Sequence, residues 1–221
     1  MLYTCKASNC SRKSASKFGH YCYSHRSRKR RHGAVDQLAI TKADLKRYET
    51  VLENRIARNK DKAIWSLLVA RWEALVSESQ RMLRETASKP TAAWKKTAAG
   101  EIVSLWGIVH PEAIIRTVLA MFLMQDQEPR RFSSDKAFNT QIVRRVRGLS
   151  PLNARRWADP TTGRTKTAYT ELSPKAVEAI AAKLVAAFGA TGVTIAQLER
   201  RQYERERQEQ AAYHEAMGEI Q

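Results

Sequence analysis

Cysteine, glycine and long apolar runs are all scarce in this chain of 221 residues. Only three cysteines are present, all within the first 25 residues, and an odd number cannot be fully paired in disulfides. The nine glycines form no phosphate-binding loop. Uninterrupted apolar runs are far shorter than a membrane span, and we expect no secretory leader ahead of the first cysteine. This composition argues against a disulfide scaffold, a P-loop enzyme and a membrane-spanning protein.

Acidic residues are missing from the first 33 positions, which hold nine Lys or Arg. A second basic segment, residues 128–166, has ten Lys or Arg against three Asp or Glu. Together these segments hold 16 of the 17 net positive charges. Two basic segments on an otherwise neutral chain predict a polyanion partner. Nucleic acid is the better expectation, because a membrane surface would favour a basic amphipathic helix.

The five histidines show no pairing with a second histidine or carboxylate at a spacing typical of metal-dependent nucleases. His110 precedes Pro111 and is most simply a helix cap. No serine or cysteine forms a recognisable pattern of nucleophile and general base. We therefore expect a protein that is not an enzyme.

The three cysteines and one histidine form a specific pattern, Cys5-x4-Cys10-x11-Cys22-x2-His25. Three thiols and one imidazole complete a tetrahedral zinc set, and four protein ligands make a closed, structural site. Such a site replaces the apolar core that about 30 residues cannot build alone. His20 is an alternative to His25 as the fourth ligand. The alternative to a zinc site is that the three cysteines are unrelated to one another and bind no metal.

The residues around these ligands resemble the small zinc knuckles of bacteriophage and mobile-element proteins. The similarity covers residues 1–33 and consists of the cysteine pair, a basic loop, Gly19 ahead of Cys22, and His25. It implies the same four zinc ligands. In that family the knuckle often precedes DNA-binding or endonuclease domains, so the resemblance does not decide what residues 34–221 do.

Residues 34–90 carry helical patterns. Thr41 with Asp44 predicts a helix start, and a second helix is expected over about 62–87. Its Trp65 and Trp72 are seven residues apart, which suits an antiparallel helical hairpin or a coiled-coil dimer through residues 42–87. These aromatic side chains are expected in a core and not as a base-stacking platform.

Residues 91–190 predict a helical domain with one β-hairpin. Helices are expected over 91–106, 111–125, 135–147 and 174–189, with the apolar helix 111–125 at the centre of the core. The segment 153–172 predicts two strands joined by a turn over Asp159–Gly163. Thr194 is expected to cap a last, charged helix or tail within 191–221.

The expected fold class is mainly α: an N-terminal zinc knuckle with a basic tail, a helical hairpin, then a helical domain with one β-hairpin. A basic helix followed by a basic β-hairpin is the element order of a winged helix-turn-helix, although the connection 126–133 is longer than usual. The alternative is a helical domain of no familiar type with a basic surface for RNA or protein.

Candidate nucleic-acid contacts are the basic and amide side chains of the two charged segments. Within the helix 135–147, Asn139 and Gln141 have amides that suit adenine, while its arginines suit guanine or phosphate. The arginines 144 and 145 could instead pair with acidic residues, and residues 26–31 could be a solvated linker. The full set is Arg26, Arg28, Lys29, Arg30, Arg31, Lys136, Asn139, Gln141, Arg144, Arg145, Arg147, Arg155, Arg156, Arg164 and Lys166.

The pattern as a whole predicts a non-catalytic, zinc-containing regulator or accessory protein that binds nucleic acid, DNA in preference to RNA. Reduced, metal-binding thiols fit the bacterial cytoplasm or nucleoid. The alternative is an adaptor subunit that docks its tryptophan-rich helices onto a polymerase, replication or transposition complex.

Overall fold

The computed structural model describes residues 3–218, without the side chains of residues 155, 156, 167, 168 and 216. In that part of the chain, the predicted mainly α fold with one β-hairpin is confirmed. The helices are α1 (Tyr23–His32), α2 (Lys42–Arg58), α3 (Ile64–Glu85), α4 (Ala93–Trp106), α5 (Pro111–Gln127), α6 (Asp135–Arg147) and α7 (Pro174–Gly218), and the strands are β1 (Ala154–Ala158) and β2 (Thr165–Tyr169).

Two helix starts follow directly from local hydrogen bonding. Thr41 and Asp44 form the predicted capping box of α2: the Asp44 carboxylate accepts from the Thr41 N–H at 2.7 Å, and the Thr41 hydroxyl accepts from the Asp44 N–H at 3.1 Å. Ser134, one of two predicted candidates, caps α6 by accepting from the Ala137 N–H at 3.2 Å. These caps satisfy backbone donors that the first helical turn leaves unpaired.

Helix α5 is the centre of the core, as its nearly continuous apolar sequence predicts. Ten of its residues, including Ile114, Leu119 and Leu123, are buried. It packs against α2, α3, α6 and α7. One buried cluster extends from Ile40 to Ala196, so the segments 34–90 and 91–190 share a single core.

The helical hairpin expected within residues 34–90 is a wrong prediction. Helix α3 packs mainly against α4, whereas α2 packs against α5. The apolar stripe of α3 is buried within this same chain, with Leu68 and Trp72 fully enclosed. The spacing by sevens in α3 therefore reflects burial in the common core of this chain.

The end of a helix at Gly189 and a new cap at Thr194 are also wrong predictions, since α7 is continuous through both. Both Gly189 and Gly192 face Phe122 of α5. A Cβ added at Gly192 would lie 2.6 Å from the Phe122 ring, so glycine permits close helix packing here. The Thr194 hydroxyl donates back to the Ala190 carbonyl at 2.9 Å, a bond made inside a helix.

Helix α7 has an 18-residue window with mean hydropathy 1.7, which meets the length and composition of a membrane span. The expectation drawn from uninterrupted apolar runs did not foresee this. Of that window, 44% is buried inside the fold. Ile180, Leu184 and Phe188 of α7 belong to the buried core.

The β-hairpin forms where it was predicted. Strands β1 and β2 are antiparallel, with Ala154 opposite Tyr169 and Ala158 opposite Thr165. The turn between them closes by a bond from the Gly163 N–H to the Asp159 carbonyl at 2.8 Å, and Gly163 has φ +64°. The order α5, α6, β1, β2, α7 thus matches the element order anticipated from the sequence.

Candidate metal centre and basic cleft

The four predicted ligand side chains meet at one point. The ligand atoms of Cys5, Cys10, Cys22 and His25 all lie within 4.8 Å of one another. The His25 Nδ1 atom is 3.4 Å from the Sγ atoms of both Cys5 and Cys22. His20 is exposed and is not part of this cluster. The arrangement places three sulfur atoms and one imidazole nitrogen where a single metal ion could bind all four.

Local backbone structure positions each pair of ligands. The first pair lies on a turn in which the Cys10 N–H donates to the Ala7 carbonyl at 3.2 Å and Asn9 has φ +58°. Asparagine tolerates this left-handed conformation better than most residues. In the second pair, Cys22 immediately precedes α1 and His25 lies in its first turn. The cluster therefore joins the N-terminal turn to the start of α1.

The surroundings of the cluster shift the pKa values of two of its thiols in opposite directions. Burial alone would raise the pKa of Cys5, but hydrogen bonds from the backbone of Cys22 and Ala7 and from His25 outweigh it and lower the pKa of Cys5 to about 6. A backbone hydrogen bond from Arg12 favours the Cys10 thiolate, yet burial and the two neighbouring cysteines raise the pKa of Cys10. Three thiolates so close together repel one another, and a bound cation would remove that repulsion.

Helix α1 lies directly against α6 because Gly33 lets it approach. Gly33 ends α1 with φ +93°. A Cβ at this position would lie 2.8 Å from both the Ala137 Cα and the Thr140 Oγ1, and 2.9 Å from the Lys136 carbonyl. No side chain larger than hydrogen fits between the two helices there. The two basic segments, far apart in sequence, are brought side by side.

A cleft of about 390 Å³ opens between α1, α6 and the chain after β2. We call it the basic cleft. Its cationic lining is Arg30, Arg31, Lys42, Arg144, Arg145 and Arg147, and Glu171 is its single carboxylate among the described residues. A second cleft of about 320 Å³ adjoins the first and shares Arg30, Thr140 and Val177 with it. Arg26, Lys29 and Lys136 line this second cleft, so the basic surface continues around α1.

Gln141 does not belong to the surface, contrary to the prediction that it reads a base. It is fully buried. Its Oε1 accepts from the Ile40 N–H at 3.1 Å, and its Nε2 lies 3.1 Å from the His32 Nδ1. Burial, assisted by the charges of Arg144 and two other arginines, lowers the pKa of His32 to about 4. The neutral imidazole therefore accepts a hydrogen bond from the Gln141 amide, which locks α1 to α6.

Several predicted contacts are held in ion pairs. The Arg147 Nε is 2.7 Å from a Glu101 oxygen, and the Lys136 Nζ is 2.5 Å from a Glu178 oxygen. Lys166 pairs with Asp159.

Other candidates are only loosely held. Arg28 donates to the Val35 carbonyl at 3.5 Å, Lys29 lies over the Tyr21 ring, and Asn139 is half-buried. Arg26, which lies over the Tyr23 ring, and Arg164, on the β-hairpin, are both exposed. The side chains of Arg155 and Arg156 lie outside the described part of the structure.

Sequence reasoning missed the partners that complete the cleft. Lys42, Tyr169 and Glu171 line the cleft but were not among the predicted contacts. The acidic Glu101, which neutralises Arg147, lies on α4 in a segment without charge bias. No local signal identifies these residues, because only the tertiary packing of α1, α4 and α6 brings them together.

Fold and site together define a mainly α-helical protein in which an N-terminal Cys3His cluster, arranged so that it could hold a metal ion, lies beside an arginine-lined cleft. Comparisons with protein-family models, curated proteins and solved structures found no match.

Proposed function

We propose that this protein is a non-catalytic, zinc-containing nucleic-acid-binding protein, a regulator or accessory factor of a phage or mobile element. The observation that carries the proposal is the meeting of the two basic segments on one surface. Helices α1 and α6 supply cations to both sides of a shared cleft. A concentrated positive surface of this kind attracts polyanions and releases their counterions on binding.

Zinc is the metal that best fits the ligand set. Bonds of about 2.3 Å to sulfur and about 2.0–2.1 Å to nitrogen, at tetrahedral angles, place those ligand atoms about 3.6 Å apart. The two sulfur–nitrogen distances of 3.4 Å are close to this value. Three thiolates and one neutral imidazole suit zinc better than calcium or magnesium, which prefer oxygen.

The mode of binding follows from which groups remain accessible. Gln141 is buried and Arg147 is paired with Glu101, so α6 offers fewer base-reading groups than its sequence suggests. The accessible groups are mainly guanidinium and ammonium groups, which favour contacts to the phosphate backbone. We propose that DNA is bound chiefly through its backbone, in a reducing bacterial cytoplasm where the thiols stay free for metal.

The salt dependence of duplex binding tests this function. We expect the dissociation constant of a random 20-base-pair DNA duplex to rise steeply with salt, by a logarithmic slope of roughly one for each phosphate contact. Reversing Lys13, Lys17 and Arg26, which are exposed and lie outside the basic cleft, should flatten that slope. Reversing Lys89, Lys95 and Lys96, three exposed lysines that line neither cleft, is the matched control. Binding that is absent, or that does not respond to salt, would refute the proposal.

An adaptor role is the second candidate, and the distal part of α7 favours it. Beyond Leu198 this helix exposes Tyr203, Tyr213 and Met217. The residues first expected to dock a partner, such as Trp72, are buried in this chain's own core. If α7 docks a partner, truncation after Gln202 should abolish complex formation and leave duplex binding unchanged.

A further inference from the structure

We propose that the basic cleft is a phosphate-binding site for a nucleic-acid backbone, with Arg144 and Arg145 as its main ligands and Glu171 as the carboxylate that the phosphate displaces. This inference rests on the proposed function and deepens it. The proposed function needs only a basic surface, whereas this inference names one defined site in which the Glu171 carboxylate competes with phosphate for the arginines.

The charges of the cleft are far from balanced. Arg147 is neutralised by Glu101. The remaining five cations of the lining share one carboxylate, Glu171, among the residues that the structure describes. Like charges held this close repel one another, and the repulsion is strongest where water is partly excluded. A bound oxyanion would offset that repulsion.

Arg144 and Arg145 are the least satisfied arginines of the cleft, since Arg30 and Arg31 pair with Glu171 and Arg147 pairs with Glu101. In the described part of the chain, neither side chain has a hydrogen-bond acceptor or an acidic partner within ion-pair distance. The Arg145 Nε is buried without a partner. Burial, followed by the charge of Arg145, lowers the pKa of Arg144. Burial also lowers the pKa of Arg145 and outweighs the opposing charges of Tyr169, Asp44 and Glu49, none of which is within ion-pair distance. Partly buried guanidinium groups without an acceptor are costly, so they mark a place prepared for an anion.

Glu171 shows how an oxyanion is held in this cleft. One of its oxygens lies 3.0 Å from the Arg30 Nε and the other lies 2.5 Å from the Arg31 Nε. A carboxylate offers two oxygens to these two arginines and leaves the pair on α6 without an acceptor. A phosphate has more acceptor oxygens, spread in three dimensions, and could engage arginines from both helices.

The cleft is also large enough for more than a single ion. Its volume of about 390 Å³ exceeds the ~30 Å³ share of one water molecule in the liquid by more than tenfold. That volume leaves room for a phosphodiester group with part of its adjoining sugar, and the exposed ring of Tyr169 is among the lining residues.

The test compares two probes, a 20-base-pair DNA duplex and inorganic phosphate, each measured over the same series of salt concentrations. We expect Arg144→Ala and Arg145→Ala each to weaken duplex binding about tenfold or more, since a hydrogen bond between charged groups contributes about 1.5–3 kcal/mol. Each should also reduce the logarithmic salt slope by roughly one. Arg81→Ala, an exposed arginine of α3 outside the cleft, is the matched control and should change neither.

Glu171→Gln provides a variant whose expected effect is opposite in sign and so cannot come from misfolding. Removing the competing carboxylate should tighten duplex binding by about threefold to tenfold. Unchanged or weaker binding would overturn the role of Glu171.

The two probes also separate this inference from the proposed function. If wild-type protein binds the duplex with a steep salt slope but the arginine variants behave like Arg81→Ala, the phosphate site is refuted and the function stands. If inorganic phosphate binds in an Arg144-dependent way while the duplex does not bind, the cleft binds phosphate but nucleic acid is not its ligand. Both the proposed function and the present inference are then refuted in their assignment of nucleic acid. We expect inorganic phosphate to bind only weakly, and its binding to be lost in Arg144→Ala.

Discussion

Replacing Gly33 by alanine should separate α1 from α6, because this position combines an unusual backbone conformation with a very close helix contact. The residue has φ +93°, which side-chain-bearing residues rarely adopt. The new methyl group would also lie 2.8 Å from the Ala137 Cα and 2.9 Å from the Lys136 carbonyl, both backbone atoms of a helix. Backbone atoms cannot rotate away as a side chain could.

The magnitude follows from two contributions. A left-handed conformation costs a residue with a Cβ about 1–2 kcal/mol. Inserting a methyl group into a packed contact costs about 1–3 kcal/mol more. We therefore expect Gly33→Ala to lower the free energy of unfolding, or of α1 docking, by about 2–5 kcal/mol.

Two other glycines separate these contributions. Gly163 has φ +64° but open space around its Cβ position, so Gly163→Ala should cost only the backbone part, about 1–2 kcal/mol. Gly100 lies inside α4 with nothing near it, so Gly100→Ala should stabilise the protein by roughly 0.5–1 kcal/mol.

Urea denaturation measures the free energy of unfolding of all three variants, and hydrogen exchange of the α1 amides detects local undocking. The reasoning is refuted if Gly33→Ala costs no more than Gly163→Ala and leaves the α1 amides protected. Retained metal stoichiometry would show that the defect lies in docking and not in the ligand cluster.

Three further predictions concern single side chains. Cys22→Ser should reduce bound zinc from one equivalent to well below one, whereas His20→Ala should keep it, as measured by metal analysis. Gln141→Ala should cost about 1–3 kcal/mol in urea denaturation, because it leaves the buried Ile40 N–H unpaired, while Asn139→Ala should stay within about 0.5 kcal/mol. Because the pKa of His32 is lowered to about 4, the unfolded state binds the extra proton first as the pH falls. Stability from neutral His32 should therefore decline between about pH 6.5 and pH 4, and the decline should be smaller in His32→Gln.

The parts of the fold that local sequence determines were predictable. Ligand spacing at Cys22 and His25, the Thr41 capping box and the apolar helix α5 each carry their signal within a few residues. Tertiary contacts were not predictable in this way. Gly189 looks like the end of a helix until Phe122 is seen against it, and Gln141 looks like a surface amide until the Ile40 N–H is seen to donate to it. In both cases a partner distant in sequence decides the role.

The position of the ligand cluster at the beginning of α1 has a thermodynamic consequence. A metal ion bound to Cys22 and His25 would hold the first turn of a short helix whose other end carries Arg30 and Arg31 into the basic cleft. Metal binding at one end of α1 and anion binding at the other would then both stabilise the same ordered helix. If metal binding improves the affinity of the cleft for an anion, the anion must improve the affinity for metal by the same factor. Chelator titrations with and without duplex DNA would measure this coupling free energy through the metal affinity. Duplex titrations with and without metal should give the same value.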